Sequence, residues 1–312
     1  MSRKPIVVVG SINIDLVTRA DRIPLVGETV HSSDFQTHPG GKGANQAVAA
    51  SRLGYPVRMI GRVGSDPFGG ELRSQLARSG VDTARVRTSQ GPSGVAVIAV
   101  TPNGDNAIVV TPGANALISP KDVDENFDVI REAGIVLSQL EIPMETVQHL
   151  GEVCSRLNVP LMLDPSPARP LTEELIRRVT WLTPNETETA CCVPDMEIAG
   201  RRPDTPEIID ALLKRSDGVV LKMGSRGAYL ATKDGERHRV NAFRVTAVDT
   251  TAAGDSFNGA FAVGHMLGKS PVDAAQFAAA AAAISVTRAG AQPSMPTMEE
   301  VNLMLTRGVV AD

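Results

Sequence analysis

Short runs dense in β-branched apolar residues alternate, over most of the chain, with longer stretches whose apolar positions recur at helical spacing. The runs IVVVG (6–10), VRMIGRV (57–63), IVLSQL (135–140), VPLMLD (159–164) and GVVLKMG (218–224) read as strands. Between them, ANQAVAASRLG (44–54), FGGELRSQLARSG (68–80), PMETVQHLGEVCSRLN (143–158) and TPEIIDALLKRS (205–216) read as helices. This βαβ rhythm predicts an α/β fold of three layers, a mostly parallel central sheet with helices on both faces. Two segments break the rhythm: 15–37 (DLVTRADRIPLVGETVHSSDFQT) and 94–111 (GVAVIAVTPNGDNAIVVT) read as strands joined by Pro/Gly turns, with PNGD a hairpin turn. Together they predict one small β-sheet lid over the strand C-terminal ends, where α/β folds bind ligands. The expected division is an α/β body of 1–14, 38–93 and 112–312 and a lid of 15–37 and 94–111. The alanine-rich AAQFAAAAAAISV (274–286) is too short to cross a bilayer and predicts a buried helix packed closely on the sheet. The opening MSRKPIVVVGSINIDLV carries Asn13 and Asp15 in its apolar run and reads as a first strand, not a leader.

Composition narrows the function classes. At 312 residues and 42% hydrophobic content the chain can bury an ordinary core, and a net charge of −4 offers no basic surface for nucleic acid or anionic membrane. Of three cysteines, Cys191 and Cys192 are adjacent and do not bridge each other, Cys154 stands apart, and no CxxC or Cys/His cluster exists. A reducing cytoplasm is the expected setting. His31, His38, His149, His238 and His265 match no catalytic pattern, and Trp181 reads as core.

Four stretches carry candidate chemistry. DTTAAGDSFNGA (249–260) places two aspartates around small residues where a strand gives way to a helix beginning near Asp255. Free backbone N–H groups of Ala252, Ala253 and Gly254 can converge there on an anion, with Asp255 as a general base; otherwise Asp255 caps the helix. HPGGKGANQAVAA (38–50) offers paired glycines and then Asn45, a site for a polar ligand or a glycine turn that packs a helix on a sheet; it lacks the Walker spacing. In TPNETE (183–188), Asn185 and Glu188 face one side of an opening helical turn, suited either to Mg²⁺ and its waters or to a capping box. KMGSRGAY (222–229) is a glycine-flanked turn at a strand end, at the border of a nucleotide or simply a hairpin.

In order and spacing these motifs, with GSINID after the first strand and VTRAGAQPSMP near the end, resemble the ribokinase (PfkB) family of carbohydrate kinases over about residues 5 to 306. GSINID, GGKGANQAVAA and VTRAGAQPSMP follow the ribose-specific members closely. The resemblance implies ATP-dependent phosphorylation of D-ribose at O5. Asp255 would be the base, and Ala252, Ala253 and Gly254 the anion hole for the transferring phosphoryl group. Asn13, Asp15, Gly41, Lys42, Asn45 and Glu141 would hold the sugar. Asn185 and Glu188 would organise Mg²⁺, and Lys222, Met223, Gly224, Ser225, Arg226 and Gly227 would border the nucleotide. A K⁺ would sit among Asp249, Thr251, Ser285, Arg288, Gly290 and Ser294; the bland alternative is that Asp249 caps a turn and pairs with Arg288. The β segments would form a lid and a homodimer interface. Three positions depart from the pattern: Ala279 where a histidine can face adenine, Lys222 where some members carry threonine, and Ala99 at a lid position that can be aromatic. The alternatives are a related kinase for deoxyribose, a nucleoside or a ketose and, outside enzymes, a sugar sensor without catalysis.

Overall fold

A computed structural model describes residues 3–32, 34–103, 105–192 and 205–308. Its strands are β1 (Ile6–Val9), β2 (Asn13–Arg19), β3 (Asp34–Gly40), β4 (Val57–Gly64), β5 (Asp82–Ser89), β6 (Gly94–Val100), β7 (Asn106–Thr111), β8 (Ile135–Ser138), β9 (Leu161–Leu163), β10 (Trp181–Leu182), β11 (Gly218–Lys222), β12 (Ala228–Thr232) and β13 (Arg237–Val240). Among the described residues, nine form one sheet in the order β13-β12-β11-β10-β9-β8-β1-β4-β5 and four form a second, β3-β2-β6-β7. The large sheet is parallel from β11 to β5; β12 runs antiparallel to β11, and the edge strand β13 antiparallel to β12. The small sheet is mixed, with β2 and β6 parallel at its centre.

Strand alternation splits the core into two halves, because successive side chains point to opposite faces. Ile6 and Val8 of β1 join one cluster, under the helices Lys42–Arg52, Ala253–Met266 and Pro271–Ser285. Val7 and Val9 join the other, under Met144–Leu157 and Thr205–Leu213. The two-sided burial explains why the central strands are continuous apolar runs. The alanine-rich segment is the buried helix Pro271–Ser285, which packs on Ala253–Met266 and against β12 and β13. Cys154 is a buried free thiol and Cys192 is buried; the side chain of Cys191 lies outside the described residues. Gly104 of the PNGD turn does too.

Two glycines decide how the helices reach the site. Gly41 precedes the helix Lys42–Arg52 at φ 88°, a conformation that L side chains rarely adopt, and a Cβ there would lie 2.7 Å from the backbone N of Asn13. Gly259 lies where the helix Ala253–Met266 crosses Lys42–Arg52: a Cβ would meet Ala49 Cβ at 2.7 Å and the Gln46 carbonyl oxygen at 2.8 Å. No side chain fits between these helices, so Gln46 and the first turn of Ala253–Met266 are locked to each other. Gly259→Val is therefore expected to lower the unfolding free energy by about 2 kcal/mol or more, as overpacking against backbone does. Urea denaturation measures this, and an unchanged midpoint would show that the crossing has room to spare.

Candidate active site

Asp255 lies in the first turn of the helix Ala253–Met266 and is 5% exposed. Its Oδ2 accepts from Asn45 Nδ2 at 3.0 Å and its Oδ1 from Gln46 Nε2 at 3.1 Å. Burial raises the carboxyl to about 6, with Asp164 adding to the rise while Lys42 and the two amides oppose it. Asn45 Oδ1 is buried and has no hydrogen-bond partner among the described residues. The result is a carboxylate that is held in place, poised near neutrality, and beside an unused acceptor.

On one side of Asp255 stand the residues of the first strands. Asn13 is buried and its Oδ1 accepts from Asn115 Nδ2 at 2.7 Å, so the amide is fixed. Asp15 packs on Gly40, where a Cβ would fall 2.2 Å from its Oδ2. Burial, with Glu141 and Asp255 adding their repulsion and Lys42 opposing, raises the Asp15 carboxyl to about 7. Glu141 Oε2 accepts from Ser11 Oγ at 2.6 Å and from the backbone N–H of Lys42 at 3.1 Å. Burial works against the charge of the Lys42 ammonium, but Asp255, Asp164, Glu141 and Glu188 outweigh it and hold its pKa above the ordinary value. Asn13, Asp15, Gly41, Lys42, Asn45 and Glu141 are thus linked to one another and to Asp255 by hydrogen bonds, close packing or electrostatic contact.

On the other side is a cleft of about 790 Å³, lined by Lys222, Gly224, Ser225, Gly227, Ala253, Gly254 and Ala279 among others. Ala252 begins the helix in a left-handed conformation, φ 58°. The N–H of Ala253 turns back to Thr250 O at 3.3 Å, whereas those of Ala252 and Gly254 have no backbone acceptor among the described residues. A Cβ on Gly254 would sit 3.5 Å from Lys222 Nζ, which donates to Asp164 Oδ1 at 2.9 Å. Two expected border residues lie away from the cleft: Met223 is part of the core, and Arg226 pairs with Glu186. Asn185 and Glu188 cap each other: Asn185 N–H donates to Glu188 Oε2 at 2.8 Å and Glu188 N–H to Asn185 Oδ1 at 2.9 Å. Glu188 remains 5% exposed, with its second oxygen unbonded among the described residues.

Asp249 ties two loops together. Its Oδ1 accepts from Thr251 N–H at 2.9 Å and its Oδ2 from Gly290 N–H at 2.8 Å. Burial favours protonation, but these hydrogen bonds outweigh it and hold the carboxyl below its ordinary range. Arg288 pairs with Glu300, not with Asp249. The carbonyls of Thr251, Arg288 and Gly290 accept no hydrogen bond among the described residues, while that of Ser285 accepts from Arg288 N–H at 3.2 Å. Ser294 Oγ donates to Ala291 O at 2.7 Å, which leaves its lone pairs free.

Five residues of this site were missed by reading the sequence: Ser11, Gln46, Asn115, Gln139 and Asp164. Gln46 Nε2 bonds both Asp255 and, at 3.0 Å, Asp164 Oδ2, while its own oxygen accepts from Gln139 Nε2 at 2.7 Å. A signal existed for Asp164, a carboxylate immediately after the parallel strand β9, where ligands gather in such sheets. Asn115 carried none, since it only meets Asn13 once the chain has returned from the small sheet.

The pfkB family carbohydrate kinase model matches residues 3–298. The chain is 42% identical to ribokinase of Bacillus subtilis over 302 residues, 96% of this chain and 99% of that one. It is 37% identical to deoxyribokinase of Salmonella typhimurium, covering 96% of this chain and 98% of the relative. Among solved structures it superposes on ribokinase of Thermotoga maritima with a TM-score of 0.89 at 38% identity, covering 97% and 99% of the two chains. Ribokinase of Arabidopsis thaliana complexed with ribose and ATP gives 0.86 at 35% identity, with coverages of 98% and 99%. A family match over nearly the whole sequence, joined to a polar pocket and an anion-receptive helix start meeting at one buried carboxylate, has one reading: the chain belongs to the pfkB family of carbohydrate kinases.

Proposed function

We propose that the protein transfers the terminal phosphoryl group of ATP to O5 of D-ribose, giving ribose 5-phosphate and ADP. The observation that carries this reading is Asp255, buried and raised to about 6 between a pocket of fixed amides and carboxylates and the free N–H groups of a helix start. Its carboxylate takes the O5 proton as the oxygen attacks phosphorus, the O5–P bond forms, and the bond to the β-phosphate oxygen breaks as ADP leaves. Ala252 and Gly254 N–H groups face the charge that develops on the phosphoryl oxygens. Asn13, Asp15, Asn45 and Glu141 hold the sugar hydroxyls; the orphaned Asn45 Oδ1 is an acceptor in need of a donor. Asn185 and Glu188, already engaged as a cap, fit a hydrated Mg²⁺ through Glu188, and the ion when bound neutralises phosphate charge. The small sheet acts as a lid that excludes water from the acceptor. The free buried thiol of Cys154 suits a cytoplasmic enzyme.

Deoxyribose is the second candidate acceptor, favoured by the 37% identity to a deoxyribokinase. A coupled ATP-consumption assay with ribose, deoxyribose, fructose and adenosine separates the readings: ribose is expected to give the highest kcat/KM, and a preference for any other acceptor overturns it. In the same assay Asp255→Asn is expected to lower kcat roughly 10²-fold or more. Wild-type kcat/KM should fall with a single-proton slope as pH drops below about 6, since the base must be ionised. The linkage to stability has the opposite sense. A carboxyl raised from 3.8 to about 6 on folding contributes stability that is fully present below its unfolded value and lost as pH rises through the folded one. Asp255→Asn is therefore expected to melt higher than wild type above neutrality, with the gap narrowing toward the ordinary carboxylate range. A lower Tm at alkaline pH would contradict the raised carboxyl.

A K⁺ held by the carbonyls of Thr251, Arg288 and Gly290, with Asp249, Ser285 and Ser294, would fix the 249–254 loop and with it the anion hole. The three carbonyls without a hydrogen bond fit such an ion. Rates in KCl are expected to exceed those in NaCl or a tetramethylammonium salt at equal ionic strength, and Asp249→Ala should erase the difference. Equal wild-type rates in all three salts would exclude the cation site.

One face of the small sheet also presents Phe35, Val97 and Val109, 62%, 48% and 66% exposed, and we assign this apolar face to a homodimer interface. Light scattering is expected to give twice the chain mass for wild type and the single-chain mass for Val97→Lys/Val109→Glu. A wild-type monomer would refute the assignment.

A further inference from the structure

We infer that Lys222 is a direct ligand of the terminal phosphoryl group of ATP, and that Asp164 and Gln46 are positioning residues that hold its ammonium at the transfer point. This rests on the kinase reading above. Lys222 ends β11, its side chain is 13% exposed, and Nζ lies 2.9 Å from Oδ1 of Asp164, whose side chain is 3% exposed. The same ammonium would be 3.5 Å from a Cβ on Gly254, so it stands beside the helix start where the Ala252 and Gly254 N–H groups have no backbone acceptor among the described residues. A buried ion pair adds little stability, because desolvation offsets the attraction. Stability therefore does not explain why two charges are kept here, whereas an incoming polyanion does. An ammonium has three donors, and only the one to Asp164 is used among the described residues.

The hold on Lys222 is rigid on every side. Its backbone N–H donates to Pro184 O at 2.8 Å. Asp164 cannot turn, because Gln46 Nε2 occupies its Oδ2 at 3.0 Å. Gln46 cannot flip, because Gln139 Nε2 fills its oxygen at 2.7 Å. The second hydrogen of the Gln46 amide goes to Asp255 at 3.1 Å. One neutral amide thus spaces two carboxylates that would otherwise repel, and it fixes the base and the phosphate ligand relative to each other.

The assignment separates a triphosphate from a diphosphate. In titration calorimetry, Lys222→Met is expected to weaken the magnesium complex of the imido analogue of ATP roughly tenfold or more while changing MgADP by less than about twofold. Lys222→Arg should recover part of the loss, and Asp164→Asn should show the same selective loss in smaller degree. In turnover, Lys222→Met should cost about 10²-fold in kcat. A folded Lys222→Met that weakens both nucleotides alike, or neither, overturns the assignment. Should that variant fail to fold, Asp164→Asn/Lys222→Thr removes both charges together and the same nucleotide comparison decides. Wild type that binds neither nucleotide overturns the kinase reading and this assignment with it; wild type that binds both, with Lys222→Met indistinguishable from it, overturns the assignment alone.

Discussion

The close crossing of the helices Lys42–Arg52 and Ala253–Met266 is the constraint on which the site depends. Because Gly259 has no side chain, Gln46 comes into backbone contact with the second helix, and Asn45 and Gln46 reach Asp255 at the length of a single hydrogen bond each. A wider crossing would let water between them. The carboxyl would then lose both its fixed orientation and the desolvation that lifts it toward neutrality, and a base of ordinary strength would remain. Packing at one glycine therefore sets the chemistry of a residue one turn away from it.

That arrangement concentrates like charge, and much of the surrounding structure serves to contain it. Burial, aided by repulsion from Glu141 and Asp255 on Asp15 and from Asp164 on Asp255, raises the carboxyls of Asp15 and Asp255. Lys42 and Lys222 oppose it from two sides, while Ser11, Asn45, Gln46 and the Lys42 N–H supply neutral donors. Each such group costs stability in the empty site. Under the proposed function the carboxyls would be matched to a ligand rich in hydroxyls, and the cations to one rich in phosphate.

The fold was legible where burial imposes a simple pattern and illegible where it does not. β1, β4, β8, β9 and β11 are covered on both faces and read as apolar runs. β5 (DTARVRTS) is an edge strand with only Val86 and Ser89 buried, and two-residue β10 is too short for any period to register. The edge strand β13 was passed over because RHRV keeps only Val240 inside. At the site, residues within contiguous motifs were legible, since glycine, amide and carboxylate at fixed spacing have chemical meaning. Gln139, Asp164 and Asn115 were not, because their meaning comes only from partners 93, 118 and 102 positions away. Met223 and Arg226 show the converse: they share a motif with Gly224, yet strand alternation turns one into the core and an ion pair takes the other outward.

The two sheets meet within the site itself, and this gives the proposed lid its leverage. β1 ends at Val9 in the centre of the large sheet and β2 begins at Asn13 in the small one. Asn13 and Asp15 therefore travel with the small sheet, whereas Asn45, Glu141 and Asp255 belong to elements of the large one. In the proposed reaction a displacement of the small sheet would pull Asn13 and Asp15 off the sugar while leaving the base and the phosphate side intact. Sugar binding would stabilise the state in which both sets are in reach, because only there would its hydroxyls be fully paired. Closure would thereby be coupled to the presence of the acceptor. An open site would lose the dry environment on which the proposed base depends, which would work against transfer of the phosphoryl group to water.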